Sequence, residues 1–188
     1  AGRGLSVDTN LLVAGGSFVI TTTGTNTAVY TCGVAVVNGK LTNYIDVGAA
    51  SAIKVDGDAL IGGGILNLFS SGCCGKGLNV GGVLTIGTNA VAASPSVTAR
   101  TTGTQFKIAL STTSTGGSTG GGGGGGQPAD DTADYSNPKA IKVSGKIFIN
   151  GGTVIASTVS TGGEGIESKD SIIVNGGSIE SICYDDCM

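Results

Sequence analysis

Short runs of alternating apolar and polar side chains are spread along the whole chain. The segments 52–64, 140–152 and 165–177 show them most clearly, with apolar residues two positions apart at Ile53/Val55, Ile141/Val143, Ile147/Ile149 and Ile172/Val174. A period of two is typical of β-strands, whereas an amphipathic helix places apolar residues three and four apart. The runs are about 3–5 residues long, are rich in Val, Ile and Thr, and end in Gly or Asn-Gly, which favour tight turns. The pattern therefore predicts an all-β chain of short strands.

One aliphatic-glycine motif recurs at a nearly constant spacing. Its aliphatic residues lie 24, 24, 25, 63 and 25 positions apart. The long step holds one further repeat and an insertion of about a dozen residues, and a period of this size is typical of stacked-repeat proteins. We therefore predict a single-stranded right-handed parallel β-helix, or β-solenoid, with about seven rungs of about 25 residues. One inward-facing column is expected to contain Val13, Val37, Ile61, Ile86, Ile149 and Val174.

The predicted rungs form one β-helix domain over residues 1–188. They are assigned to 4–29, 30–52, 53–77, 78–102, a fifth around 106–110, 139–164 and 165–188. Neither end has a polar cap, and an uncapped solenoid exposes unpaired backbone groups. Two interpretations stay open: a fragment of a longer chain, or a repeat unit whose copies associate end to end.

A Gly/Ser/Thr-rich insertion at residues 111–138 is expected to leave the coil at one corner. It includes seven consecutive glycines at 120–126. Such a run cannot bury enough apolar surface to offset its ordering entropy, which favours a flexible excursion. The alternative is a loop packed over one face, with Tyr135 and nearby aspartates as its binding end.

The composition of the chain argues against several classes of binding partner. Glycine accounts for 36 of 188 residues, aromatic residues for 4%, and His and Trp are absent. The net charge of −3 and the pI near 4.7 argue against nucleic acid, which selects clusters of Lys and Arg. No apolar run approaches the roughly 20 residues of a membrane-spanning helix, so we expect no membrane insertion.

Two stretches carry a resemblance to a known family. Residues 139–157, KAIKVSGKIFINGGTVIAS, and 162–181, GGEGIESKDSIIVNGGSIES, are followed by Tyr184-Asp185-Asp186. Together they resemble repeats of a bacterial secreted family of carbohydrate-binding domain-containing proteins. The resemblance is strongest over 139–186 and weaker, but in phase, over 4–110. It implies a pectate-lyase-like, calcium-binding parallel β-helix, extracellular or on the cell surface of a bacterium, that binds polysaccharide or acidic sugars without catalysis.

The acidic residues near residue 185 are the first candidate for calcium. With a period of 25, Asp185 and Asp186 stack over the turn that ends at Glu164, and Glu167 is close enough to contribute. Calcium takes six to eight oxygen ligands, which adjacent rungs can supply. Solvated carboxylates without an ion are the alternative. A second, weaker candidate is the pair Asp56 and Asp58.

Tyrosines are the candidates for stacking on a sugar ring. Tyr184 lies beside Asp185 and Asp186, so calcium and an aromatic face could together hold an acidic sugar, and Tyr135 in the insertion is the second candidate. A tyrosine that simply covers the end of a rung is the alternative for Tyr184.

The sequence does not favour an enzyme. A lyase on this fold needs a base beside carboxylates that hold calcium, but Arg3 and Arg100 have no acidic cluster in phase. Lys54 and Lys142 are expected to point outward, with only isolated carboxylates nearby. Chemistry that depends on histidine is excluded because the chain has none.

The five cysteines do not form an even set. Cys183 and Cys187 can bridge if their Cα atoms come within about 7 Å. The repeat places no other separated pair in direct register, and in an oxidising location an odd count leaves one thiol unpaired or crosslinked to another chain.

Two functions from different classes are left open by the sequence. The first is a non-catalytic extracellular carbohydrate-binding β-helix with calcium at the acidic corner. The second is a structural subunit of a surface stalk or filament, which stacks end to end through its open β-helix ends.

Overall fold

The computed structural model describes residues 3–22, 34–37, 40–43, 51–88, 94–107 and 135–188. Every regular element in these ranges is a β-strand, so none of the described residues forms a helix able to cross a membrane. The strands are β1 (Leu5–Val7), β2 (Leu11–Val13), β3 (Ser17–Thr22), β4 (Val34–Val37), β5 (Lys40–Asn43), β6 (Ser51–Val55), β7 (Ala59–Ile61), β8 (Ile65–Ser70), β9 (Lys76–Val80), β10 (Leu84–Ile86), β11 (Ser96–Thr101), β12 (Phe106–Lys107), β13 (Tyr135–Ser136), β14 (Lys139–Val143), β15 (Ile147–Ile149), β16 (Thr153–Thr158), β17 (Glu164–Ser168), β18 (Ile172–Val174) and β19 (Ser178–Ile182).

Fifteen of these strands form three parallel sheets of five strands each. Sheet A has the order β1-β6-β9-β14-β17, sheet B the order β2-β7-β10-β15-β18, and sheet C the order β3-β8-β11-β16-β19. The chain passes from sheet A to B to C and then returns to A, and one such passage is a rung. The prediction of an all-β chain with parallel, repeating strands is confirmed.

The strand register confirms most of the predicted aliphatic column. Five of the six predicted residues align across sheet B, namely Val13, Ile61, Ile86, Ile149 and Val174. The first four are buried, whereas Val174, on the outermost strand, is 48% exposed. The column forms because aliphatic residues at one repeat spacing meet on neighbouring strands, about 4.8 Å apart.

Among the described residues each of the three sheets has five strands rather than the predicted seven, because the described parts of two predicted rungs pair differently. In the predicted rung 30–52, β4 and β5 pair with each other in antiparallel fashion, which puts Val37 opposite Lys40 and outside the column. The intervening sequence, Asn38-Gly39, is a combination that favours two-residue hairpins. In the predicted fifth rung, β12 pairs in antiparallel fashion with β13. Residues 111–134, including the glycine run, lie outside the described residues.

The core is a single aliphatic cluster to which all three sheets contribute. Ile53, Ile61 and Leu66, one from each sheet in the same rung, are at most 2% exposed. In all five rungs the described residues between a sheet B strand and the following sheet C strand include a glycine with positive φ. Only glycine adopts this conformation without strain, which explains why a glycine recurs at this point of the repeat. These glycines are Gly16, Gly64, Gly87, Gly152 and Gly177.

Candidate functional site at the corner between sheets C and A

Most of the candidate chemistry lies where the chain leaves sheet C and returns to sheet A. The long segments 23–50 and 102–138 both connect these two sheets, and so do the shorter segments 71–75 and 159–163. Loops that depart from a regular scaffold are the usual place for binding groups. The first residues of the sheet A strands border this corner.

A column of polar residues begins the strands of sheet A. Ser51, Lys76, Lys139 and Glu164 are in register on consecutive strands. Lys139 is 8% exposed, and its ammonium is ion-paired with the Glu164 carboxylate. The same ammonium lies 2.9 Å from Oε2 of Glu167. A buried cation is therefore held between two carboxylates.

The amide of Asn137 completes this cluster. Its Nδ2 donates a hydrogen bond of 2.6 Å to Oε1 of Glu164. Both Glu164 oxygens therefore have a partner, one from Asn137 and one from Lys139. Among the described groups, Oδ1 of Asn137 is buried without a hydrogen-bond partner.

Asp185 continues the column after Glu164. The same backbone hydrogen bond recurs along the corner: Lys139 donates to Gly75 at 3.1 Å, Glu164 to Pro138 at 3.0 Å, and Asp185 to Gly163 at 3.0 Å. The predicted approach of the Asp185–Asp186 backbone to the turn before Glu164 is therefore present in the structure. The side chains of Asp185 and Asp186 are exposed.

The predicted calcium ligands are Glu164, Asp185 and Asp186, of which the structure aligns the backbones along this corner. Within the described residues, no three His, Cys, Asp or Glu side chains are close enough to hold a metal. Calcium needs six to eight oxygens, and both oxygens of Glu164 are engaged. Lys139 already offsets the charge that would otherwise call for a cation. Calcium at Glu164, Asp185 and Asp186 stays a prediction.

The second candidate pair, Asp56 and Asp58, is also engaged. Asp56 is ion-paired with Lys54, and the hydrogen bond from that lysine lowers the pKa of the Asp56 carboxyl. Oδ1 of Asp58 accepts a 2.7 Å hydrogen bond from the backbone N–H of Val83. These contacts favour a structural role for both carboxylates.

The tyrosines differ in what the structure describes. Tyr184 is 62% exposed, and its backbone N–H donates to Oγ1 of Thr158 at 3.4 Å. Its ring is therefore accessible to a ligand. The backbone of Tyr135 pairs with Lys107 in the β12–β13 ladder, and its side chain lies outside the described residues.

Burial disfavours the charged form of two lysines, Lys76 and Lys142. Lys76 is 6% exposed, and its Nζ donates to the Cys74 carbonyl oxygen at 3.0 Å. Burial, together with repulsion from Lys142, lowers the pKa of Lys76 to about 8. Burial also lowers the pKa of Lys142. An anion near the more exposed Lys142 ammonium would favour its charged form.

Lys142 belongs to a second polar column, which we call the outer ladder. Its members, in register across all five strands of sheet A, are Ser6, Lys54, Asn79, Lys142 and Glu167. The Lys142 ammonium makes no hydrogen bond and no ion pair within 4.0 Å with another described residue, although the Glu167 carboxylate next to it on the ladder favours its charged form. Lys54 and Lys142 flank the amide of Asn79, one strand away on either side.

Sequence reasoning missed Lys76, Lys139 and Asn137. A signal was present, because lysine begins both related strands, KGLNV at 76–80 and KAIKV at 139–143. Lys139 and Glu164 are also one repeat of 25 residues apart. The period therefore could have identified this pair before the structure was known.

A disulfide closes the end of the same corner. Cys183 and Cys187 are bonded, with Cα atoms 5.4 Å apart, which confirms the pairing that the sequence allowed.

No protein-family model, curated protein or solved structure matches this chain in the comparisons made.

Proposed function

We propose that this chain is a non-catalytic carbohydrate-binding protein, built on a right-handed parallel β-helix, that binds acidic polysaccharide along the outer face of sheet A. The right hand follows from the strong preference of parallel strand crossovers for that hand. The Cys183–Cys187 disulfide supports an oxidising location, outside the cell or on its surface.

The unpaired, partly buried ammonium of Lys142 carries this proposal. A cation that has lost part of its hydration and makes no direct hydrogen bond to the protein gains from an anionic ligand, and Glu167 beside Lys142 offsets only part of its burial. The carboxylate of an acidic sugar supplies that anion. Asn79 and Lys54 lie next along the outer ladder, so a chain that runs parallel to the coil axis would meet further polar groups at each strand.

Tyr184 and calcium have supporting places in the proposal. The exposed ring of Tyr184 offers a surface on which a sugar can stack near the corner. Calcium assistance at the corner is kept as a separate expectation, and no part of the binding along the outer ladder depends on it.

Titration calorimetry with an oligogalacturonate tests the proposal. We expect the parent protein to bind it, and Lys142→Gln to weaken binding by about tenfold or more, as expected when a charge-assisted hydrogen bond is lost. Lys146→Gln is the matched control, since Lys146 is exposed in the turn before β15. Equal affinities for the parent and Lys142→Gln would contradict the proposal, as would equal binding of a neutral oligosaccharide.

The second candidate function is a structural subunit that associates end to end. The outermost strands of the sheets favour it, because they expose residues that continue the core columns. Phe18 aligns with the buried Leu66 yet is 42% exposed, and Val174 at the other end is 48% exposed. Electron microscopy of the purified chain at increasing concentration tests this, with filaments as the supporting result and single particles throughout as the contradicting one.

A further inference from the structure

The disulfide-closed loop Cys183–Cys187 lies on the open edge of sheet A. Its backbone makes two contacts with β17: Gly165 donates to the Asp186 carbonyl at 2.8 Å, and Ile166 donates to the Cys187 carbonyl at 3.0 Å. Asp185 donates to the Gly163 carbonyl at 3.0 Å, just before the strand. The loop backbone therefore covers the beginning of the outer edge of β17.

Little besides these hydrogen bonds and the disulfide holds the loop in place. Its residues from Tyr184 to Cys187 are exposed, so they bury little apolar surface. Side-chain contacts are few: Oγ of Ser181 donates to the Cys187 carbonyl at 2.9 Å and lies 3.9 Å from Sγ of Cys183, and the Tyr184 N–H donates to Oγ1 of Thr158 at 3.4 Å. A short exposed segment loses conformational entropy when it is ordered. A disulfide makes this loss smaller, because it already restricts the conformations of the undocked loop.

The approach of the loop depends on a glycine. A Cβ atom at Gly165 would lie 2.5 Å from the Cys187 carbonyl oxygen and 2.1 Å from Oγ of Ser181. Any larger residue at this position would push the loop away from β17. The contact can therefore be broken in two independent ways, at the sulfurs and at Gly165.

We propose that the Cys183–Cys187 disulfide is a redox-sensitive latch that covers the edge of β17, and that opening it exposes a pairing surface for a strand of a second copy of this chain. In the opening step a dithiol supplies two electrons and two protons, which gives two cysteine thiols and the oxidised dithiol. An uncovered edge presents unpaired N–H and C=O groups, which template strand addition. The opposite edge of the same sheet, β1, has the complementary polarity for such a head-to-tail contact.

The inference concerns the second candidate function and is independent of sugar binding. Hydrogen exchange tests the latch, and sedimentation velocity tests the pairing surface. The variant Cys183→Ser, Cys187→Ser is preferred to a reductant because Cys73 is also disulfide-bonded. We expect amide exchange at Gly165, Ile166 and Asp185 to rise about tenfold or more, as local opening becomes easier. Exchange at Asn150, whose N–H donates to Ile86 within the coil, should not change.

Gly165→Ala provides the second variant, in which both cysteines stay in place. It should raise exchange at Ile166 and Asp185 while leaving the disulfide formed. Gly151→Ala is its matched control, because a Cβ atom there meets nothing within 4 Å. Unchanged exchange in the double serine variant would overturn the latch, whatever Gly165→Ala shows.

Sedimentation velocity at increasing protein concentration decides the second half of the proposal. The double serine variant should associate at concentrations at which the parent protein does not. Raised exchange without association would show that the edge of β17 does not pair with a second copy, and would overturn that part. Association of the parent and the variant to the same extent would place the contact elsewhere on the surface.

Discussion

Lys139 and Glu164 begin neighbouring strands of sheet A in register, and their side chains form a largely buried ion pair. The pair fixes the charge balance of the corner, because the same ammonium also faces Glu167 at 2.9 Å. Removing one member of such a pair leaves the other without compensation in a poorly solvated position.

Lys139→Met should therefore destabilise the protein by about 3 kcal/mol or more, since two carboxylates lose their counterion. Chemical denaturation measures the free energy of unfolding. The double variant Lys139→Met, Glu164→Gln should recover part of the loss. Lys146→Met, at an exposed position, should stay within about 0.5 kcal/mol of the parent. A loss for Lys139→Met no larger than that of the control would contradict the assigned role.

Lys76 should make stability depend on alkaline pH. Its pKa is about 8 in the folded chain against 10.5 for an unperturbed lysine, so between these values the unfolded chain binds more protons. The free energy of unfolding therefore rises as pH increases from about 8 to 10.5, and Lys76 contributes up to about 3 kcal/mol of this rise. Lys76→Met should remove the rise and should be more stable than the parent at pH 7.

Denaturant unfolding at several pH values measures the free energy of unfolding of the parent and of Lys76→Met. The difference between these two free energies isolates the effect of Lys76 from that of other titrating groups. The difference should shrink steadily above pH 8. A constant difference across this range would show that Lys76 is not charged at a cost in the folded protein.

Ile149→Ala should cost about 2–5 kcal/mol, because it opens a cavity between aliphatic residues on rungs that cannot close around it. Ile149 is 1% exposed and aligns with Ile86 and Val174. Val174→Ala tests the same column at its exposed end and should cost less than about 1 kcal/mol. Thermal or chemical unfolding checks both, and similar losses for the two variants would contradict the register of the column.

Calcium should act weakly at the corner, through the exposed carboxylates of Asp185 and Asp186. The melting temperature should rise with the logarithm of calcium concentration, as for any ligand of the folded state, and only in the millimolar range. Asp185→Asn, Asp186→Asn should abolish the rise and leave the fold intact. An equal rise in parent and variant would place the ion elsewhere, and no rise in the parent would remove calcium from the account.

The repeat period predicted the parts of the fold that depend on stacking between rungs. Ile61, Ile86 and Ile149 align because each rung repeats the same inward positions. Val37 shows the limit of this reasoning. Its spacing fits the repeat, but the sequence Asn38-Gly39 that follows it also favours a hairpin, and β4 pairs with β5 instead of joining a sheet of the repeat. Spacing alone cannot distinguish a rung from a hairpin with the same turn residues.

The candidate site was harder to predict because its contacts depend on side chains that reach across the corner. The sequence placed Asp185 near Glu164, and the backbone bond from Asp185 to Gly163 agrees. The 25-residue spacing of Lys139 and Glu164 was a signal for their pairing that the prediction did not use, and nothing in the sequence indicated that Asn137 would reach the same carboxylate. Whether a carboxylate at this corner is available to a ligand depends on its burial and its ion pairs, which residue spacing does not reveal.

The side-chain ammonium resonance of Lys142, followed by NMR during titration with an oligogalacturonate, tests the proposed acidic-sugar site most directly. We expect this resonance to shift on binding. We also expect the pKa of Lys142 to rise, because the bound carboxylate favours the charged amine. The resonance of the exposed Lys146 should move little. Binding that shifts Lys146 while leaving Lys142 and its pKa unchanged would contradict the account.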